Sequence, residues 1–528
     1  MSKNLHNISI VAVATVASRI LGLLREIATA AVFGTSALNS AFVSAFTLPN
    51  LFRRLLGEGA LTAAFVPTLT HELEREQREG AFRLVSKVAS WLAVVTTGLV
   101  AVAVAIFLNA ETAIALGARL GIAEETGRRL LLGADLAVIL FPYLIFVCLA
   151  AAFSAACQVL HRFAEPALSP IWLNLAVLAA LGLGAWWAWG APERMQLMCV
   201  AVLVGGFLQM VVPAAVLWQE GWRPRFDLTV DDRVREIVRL MGPMLIGSAI
   251  YLVNIAVSRF IGLSLNDSAA AVLNLATRVM ELPIGVFTIA ITTVVFPLIA
   301  RHAARAEWGE LTKSYHKGMR LVLIINIPAA AGLVLLSEPI TRLLFERGAF
   351  SAADTQLMAP VLAVYALGLP FVSFTSLALR GFYALRDTAT PVRAAAISFV
   401  VNLVLCLVLM RWLSTVGLAL ASTLAVLVQT AYLQRHLVRK QAGFDLHGLL
   451  PNLAKIGVAT AVMSGLIWLG LLGVSQFSLP GKWPTVVAVC GLIPLAVGAY
   501  GAALWLLRIE GREELETLLS RMKAKLMR

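Results

Sequence analysis

An all-α, polytopic membrane protein is what this sequence predicts. About fourteen transmembrane helices are expected, in two six-helix lobes related by a parallel repeat, with two more helices after them. Three observations carry that prediction. Hydrophobic residues fill 59% of the 528 positions, charged ones only 14%, and mean hydropathy is +0.84, well away from the roughly 45–50% apolar content of soluble domains. Apolar stretches of bilayer length recur to the end of the chain. Short motifs of the first half return roughly 225–230 residues later, an offset of six helices.

Each stretch has its own boundary chemistry. The first, 8–33, follows Lys3 as a secretory signal would, but the apolar run resumes at Ile20 and totals about 26 residues, enough to span. The second, 37–57, holds Pro49, which predicts a kink, and Arg53-Arg54 near its end. Then come 83–108, 131–158, 167–189, 195–218, 238–263, 268–300, 319–337, 355–383, 392–411, 415–435, 451–473 and 484–507. Breakers and charges fill the connections: Gly57-Glu58-Gly59, His71 to Gly80, Arg223-Pro224-Arg225 and Leu479-Pro480-Gly481.

The repeat is read from paired stretches. Leu160-His161-Arg162-Phe163-Ala164-Glu165-Pro166 resembles Leu385-Arg386-Asp387-Thr388-Ala389-Thr390-Pro391. Each follows a helix with an early proline (Pro142, Pro370) and precedes one with an asparagine (Asn174, Asn402). Phe65-Val66-Pro67 ends the second span as Val295-Phe296-Pro297 ends the eighth. Six helices is an even number, so the halves share one orientation, as in transporters built from parallel repeats. The expected domains are 1–230 (first lobe), 231–445 (second lobe) and 446–528 (two added helices and a basic tail).

Net charge is +13. In a soluble chain that would suggest nucleic acid; here the positive-inside rule accounts for it, and no nucleic-acid partner is expected. With a cytoplasmic N-terminus, roughly 26 Lys/Arg fall inside and about 8 outside, which places both termini in the cytoplasm. The five cysteines, Cys148, Cys157, Cys199, Cys406 and Cys490, lie in apolar segments and read as small core residues. No metal-ligand spacing, nucleophile–base set or nucleotide loop occurs, so neither enzyme activity nor a cofactor is expected. Energy for transport must come from an ion gradient, the membrane potential or the substrate's own gradient.

Charges inside the apolar spans carry the chemistry. The first span contains Ser18-Arg19-Ile20-Leu21-Gly22-Leu23-Leu24-Arg25-Glu26. On a helix Ser18, Gly22 and Arg25 share one face, and Arg19, Gly22 and Glu26 nearly the same one. A charged side chain at mid-bilayer costs roughly 2.5–3.5 kcal/mol, so such residues line a cavity or find a partner. Arg19 lies roughly 16 Å into its helix. Arg278 is similarly deep in the eighth span, just before Pro283 and Gly285. Glu281, one turn on, neutralises Arg278 or acts with Glu58 in gating. Arg53 and Arg54 sit where arginines also snorkel to headgroups, and snorkelling is the favoured reading of Arg259 and Arg380. Guanidinium groups match phosphate oxygens bidentately at any relevant pH, so an arginine-lined cavity suits a phosphorylated or diphosphate substrate.

These stretches resemble the MurJ (MviN) family, lipid II flippases of the multidrug/oligosaccharidyl-lipid/polysaccharide exporter superfamily. The likeness rests on Ser18 to Glu26, Leu48-Pro49-Asn50-Leu51-Phe52-Arg53-Arg54-Leu55-Leu56-Gly57-Glu58-Gly59-Ala60, Ala64 to Pro67, Arg278 to Gly285, and Gly381 to Pro391. It implies two lobes in a V around a cationic cavity, and two added helices forming a groove for the polyprenyl tail. It also implies alternating access, a bacterial inner-membrane location, membrane-lipid contacts and a monomer. By motif, Ser18, Arg19, Arg25, Arg53, Arg54 and Arg278 become headgroup or diphosphate contacts, Glu26 their counter-charge, and Glu58 part of a gate. Two departures stand out. Many members have Asp just before the Ala-Phe of the second helix, where this chain has Asn39-Ser40. Some bind sodium through an Asn and an Asp one turn apart, where this chain has Asn402 and Cys406, so that site is not expected. A flippase for another polyprenyl-linked glycan would use the same anion logic. A cation-coupled drug exporter would favour carboxylates over arginines.

Overall fold

The computed structural model describes residues 3–53, 61–119, 123–476 and 481–509, and its regular structure there is helical. In order the helices are α1 Lys3–Phe33, α2 Ala37–Phe52, α3 Leu61–Leu108, α4 Ala110–Arg119, α5 Glu124–Leu140, α6 Tyr143–Val159, α7 Ala164–Trp186, α8 Ala191–Gln219 and α9 Asp232–Leu265. Then follow α10 Ala269–Pro283, α11 Ile289–Ala304, α12 Trp308–Leu335, α13 Ser337–Phe345, α14 Ala352–Ala384, α15 Ala389–Lys440, α16 Leu450–Gln476, α17 Trp483–Val486 and α18 Leu492–Leu506. Nine helices among the described residues are long and apolar enough to cross a membrane, or ten if α5 and α6, bent by 45°, form one span. The sequence count is higher because α15 holds two of the expected spans, joined at Ser414 (φ 49°), and because the expected spans on α1, α2 and α9 are not among the nine.

The repeat is written into the backbone. Three pairs of non-glycine residues adopt the left-handed conformation at matching places: Gln77 with Ala306, His161 with Arg386, and Ala188 with Ser414, offset by 229, 225 and 226 positions. Such a residue costs roughly 1–2 kcal/mol. Helix-terminating hydrogen bonds offset that cost, among them Arg162 N–H to Cys157 O (2.8 Å) and its counterpart Asp387 N–H to Phe382 O (2.9 Å). The prolines expected to end spans do not do so. α3 runs through Pro67 to Gln77, and α11 runs through Pro297 to Ala304. Hydropathy marks where apolar sequence stops, and the helix continues beyond it in polar sequence.

By packing, the chain divides into two compact units: Met1–Asn274 with Arg347–Ser351, and Leu275–Glu346 with Ala352–Arg528. The first division falls inside α10, well past the repeat boundary at 230/231. The reason is α9, which packs on α2 and α3. Lys87 of α3 meets Asp231 at 2.7 Å, and Arg233 meets Glu72 of α3 at 2.8 Å. Asp231 also caps α9 by accepting from Val234 N–H at 2.9 Å. Residues 347–351 join the first unit because Ala349 N–H donates to Ala31 O at 2.7 Å, with Gly348 at φ +60° making the approach possible.

Each unit has its own apolar core. In the first, Leu140, Tyr143, Leu144, Cys148 and Cys199 are fully buried; in the second, Tyr315, Met319, Leu377, Phe382 and Leu433 are. Four cysteines are buried as expected, but Cys490, on the π-helical turn Val487–Gly491 before α18, is exposed. The two added helices belong to the second unit. α16 packs on α12 and α18, and Tyr500 donates to Ile324 O at 2.7 Å.

Candidate functional site

The polar stripe of α1 is built in the first unit. Nothing in Ala17 to Thr29 breaks a helix except Gly22, which lies opposite Asn174: a Cβ there would meet the Asn174 amide nitrogen at 3.8 Å. Asn174 in turn donates to Ser18 O at 3.3 Å. Arg25 and Glu26 form an ion pair, Nη2 to Oε1 2.7 Å, and both side chains are less than a fifth exposed. Asn274 holds the second Glu26 oxygen, Nδ2 to Oε2 3.4 Å. Arg19 is exposed and makes no ion pair or hydrogen bond with the described residues. One carboxylate therefore stands against two guanidinium groups, and positive charge remains.

The other sequence-expected residues divide. Arg53, at the end of α2, donates to Asn50 Oδ1 at 3.0 Å and lines a cavity inside the first unit. Arg54 and Glu58 lie outside the described residues. In the second unit Arg278 pairs with Glu281 at 3.1 Å, both about a third or more exposed, so the pair contributes at most about 1 kcal/mol. Behind it, Pro283 introduces a π-helical turn, Ile284–Thr288, which carries Thr288 into a buried cluster. Thr288 lies 2.9 Å from the Ser373 hydroxyl and accepts from Asn326 Nδ2 at 3.1 Å. Arg380 lies over the Phe296 ring, 5.3 Å from its centroid, and is exposed as snorkelling requires. Arg259 corrects its expectation. It is buried, and its Nη1 donates to Ala270 O at 3.3 Å. Depth along a helix placed it near an interface, but the α9–α10 turn folds over it.

Sequence reasoning missed a cluster at that turn. Arg129 of α5, 7% exposed in its side chain, reaches Asp267 (3.2 Å), Ser264 O (3.2 Å) and Thr126 Oγ1 (3.2 Å). Ser40, just before Ala41-Phe42, donates to Asp267 O at 2.6 Å and accepts from Ala271 N–H at 3.2 Å. A neutral hydroxyl thus satisfies two backbone groups of the turn. Asn402, the expected non-site for sodium, is fully buried, and its Oδ1 accepts from Ser422 at 3.1 Å.

Comparison with known proteins decides what this arrangement belongs to. A sequence profile described as "Lipid II flippase MurJ" matches residues 29–485. The chain belongs to the MurJ family. A "Probable lipid II flippase MurJ" of Rhizobium meliloti (strain 1021) is 33% identical over 93% of this chain and 91% of its own length. Proteins of the same description from Rhizobium tropici and Vibrio cholerae are 34% and 30% identical, over 91% and 95% of this chain and 90% and 95% of theirs. In fold the chain resembles a solved structure described as "Lipid II flippase MurJ, inward closed conformation", with TM-score 0.77 and 24% identity over 96% of this chain and 99% of that one. It also resembles an inward-facing multidrug resistance MATE transporter of the MOP superfamily, with TM-score 0.62 and 12% identity over 81% of this chain and 99% of that one. The chain is thus a multi-pass membrane protein of a flippase family.

Proposed function

We propose that this chain moves lipid II, the polyprenyl-diphosphate-linked peptidoglycan precursor, from the cytoplasmic to the outer leaflet of the bacterial inner membrane. The carrying observation is the α1 face: Arg25 is held by Glu26, Glu26 is shared with Asn274, and Arg19 stands uncompensated. A diphosphate supplies the charge that face lacks and accepts bidentate hydrogen bonds from guanidinium. Arg53 and Arg278 are headgroup or diphosphate contacts on this reading, and Glu281 is a gating residue in alternating access. Both termini lie in the cytoplasm on this reading, and the chain acts as a monomer. An inside-negative potential favours outward movement of negative charge by about 2.3 kcal/mol per charge per 100 mV, so the membrane potential drives the step directly or through a coupled ion.

The test is replacement of a cell's own lipid II flippase by this chain, with lipid II in the outer leaflet as the readout. Wild type restores it, Arg25→Ala fails, and Arg19→Lys is impaired because a point charge cannot reproduce bidentate contact. Absence of rescue by wild type would overturn the lipid II assignment. Full rescue by Arg25→Ala would overturn the role of the α1 face alone.

A further inference from the structure

The cavity beside Arg53 is separate chemistry from the α1 stripe. It is an open-mouthed cavity, lined among the described residues by the first unit, with a volume of about 270 Å³. Among the described residues its one charged wall is Arg53, and the hydrogen-bonding remainder is neutral, Thr62, Ser154, Gln158, Ser169 and Gln209. Small residues, Ala150, Ala151 and Ala155, make the room. Gln209 is fixed on both sides: it accepts from the Tyr143 hydroxyl at 3.3 Å and donates to Ser169 O at 3.1 Å.

One guanidinium beside hydroxyls and carboxamides is the inventory that recognises a phosphorylated amino sugar: an anion next to hydroxyl and amide groups. Size narrows it further. The cavity is smaller than the roughly 300–1,000 Å³ of sites for drug-sized ligands, so it has room for one ring, and the rest of a longer headgroup would lie outside its mouth. We infer that this cavity seats the phosphate-proximal sugar ring of the carried headgroup, with Arg53 on the adjoining phosphate and Ser154, Gln158 and Gln209 reading the ring. The inference rests on the lipid II reading and deepens it. It makes this part of the first unit a specificity site, and the α1 arginines a charge site.

The experiment compares two lipids on the full-length chain in nanodiscs, by native mass spectrometry: lipid II, and undecaprenyl diphosphate, which has the anion and tail but no sugar. Ser154 is half-buried and Gln158 exposed, so both accept substitution without opening the core. Ser154→Leu and Gln158→Leu are expected to weaken lipid II about tenfold and leave undecaprenyl diphosphate unchanged. Arg53→Gln weakens both. Equal loss of the two lipids in the Leu variants, or loss of neither, overturns the sugar seat. A wild type that binds undecaprenyl diphosphate as tightly as lipid II overturns it as well. A wild type that binds neither lipid above a phospholipid control overturns the lipid II reading itself, which keeps the two failures apart.

Discussion

Two units built on one repeat have opposite interiors. In the first, Glu26, Glu72, Arg129 and Arg259 are each less than a tenth exposed; in the second, every buried polar residue among those described is neutral, from Thr288 and Asn326 to Thr430 and Asn452. The backbone pattern is common to both, down to the left-handed residues that end their helices. What the repeat conserves is therefore the path of the chain, and what differs is the chemistry hung on it. Buried ions must be paired at several points to repay desolvation. Neutral hydroxyls and amides need only one another. The first unit is accordingly the one that loses most when a single side chain is removed, and the charged face proposed for the diphosphate lies there.

Arg129 tests this contrast hardest. Its guanidinium serves Asp267, the Ser264 carbonyl and Thr126, tying α5 to the α9–α10 turn. Removing one partner of a fully buried pair costs about 3–5 kcal/mol, and Asp267 is half exposed, so Arg129→Leu should cost about 2–3 kcal/mol. Arg129→Lys should recover only part, since one ammonium cannot reach three acceptors in a planar fork. Detergent-solubilised protein unfolded by heat provides the measurement. A midpoint unchanged by Arg129→Leu would mean that the turn stands on the Ser40 contacts instead.

The sequence made the helices and the repeat readable, because both are written in local signals: apolar length, prolines, and the paired Leu160–Pro166 and Leu385–Pro391 motifs. The other left-handed pairs were invisible, since Gln77, Ala306, Ala188 and Ser414 carry no glycine to announce them. The Arg25–Glu26 partnership was expected from the family resemblance, and the structure adds Asn274 to it. Arg129 escaped notice because it precedes the apolar run and counts as a loop cation; what buries it is a turn 138 residues away. The Arg53 cavity escaped for the same reason. Ser154, Ser169 and Gln209 are each an unremarkable polar residue on a separate helix, and only tertiary packing gathers them.

A turn of the second unit holds a carboxylate that titrates low. Asp387, in the α14–α15 turn, accepts from the Thr390 hydroxyl (2.6 Å) and amide (3.0 Å) and pairs with Lys440 (2.9 Å). Burial alone would raise its pKa; the Thr390 and Lys440 contacts outweigh that and hold it at about 2, below the ordinary 3.8. A depressed carboxylate stabilises the folded state fully above about pH 4 and loses that contribution as pH falls toward 2. Its size is about 2 kcal/mol, from roughly 1.4 kcal/mol per pKa unit. The thermal midpoint of wild type should exceed that of Asp387→Asn at pH 7, and the gap should shrink steadily as pH falls from 4 to 2.5. A gap undiminished at pH 2.5 would assign the effect to the shape of the turn and not to its charge.

The smallest effect is expected from the neutral interior of the second unit, and its smallness is the point. Thr375 and Thr430 share a buried hydroxyl–hydroxyl hydrogen bond of 2.8 Å between α14 and α15. Thr430 also reaches Phe371 O (3.2 Å) and its own helix at Val426 O (2.8 Å), so a lost partner leaves it satisfied. Interhelical hydrogen bonds in membrane proteins average about 0.6 kcal/mol by double-mutant cycles. Thr375→Val and Thr430→Val, which keep the branched shape, should each cost less than about 1 kcal/mol, with a coupling near 0.6. The cycle needs only four unfolding midpoints. A coupling above about 2 kcal/mol would exceed the measured range for such bonds and place a neutral pair on the footing of the buried ions. In that case the division between an ionic and a neutral lobe would describe residue types only, and not how each is held together internally.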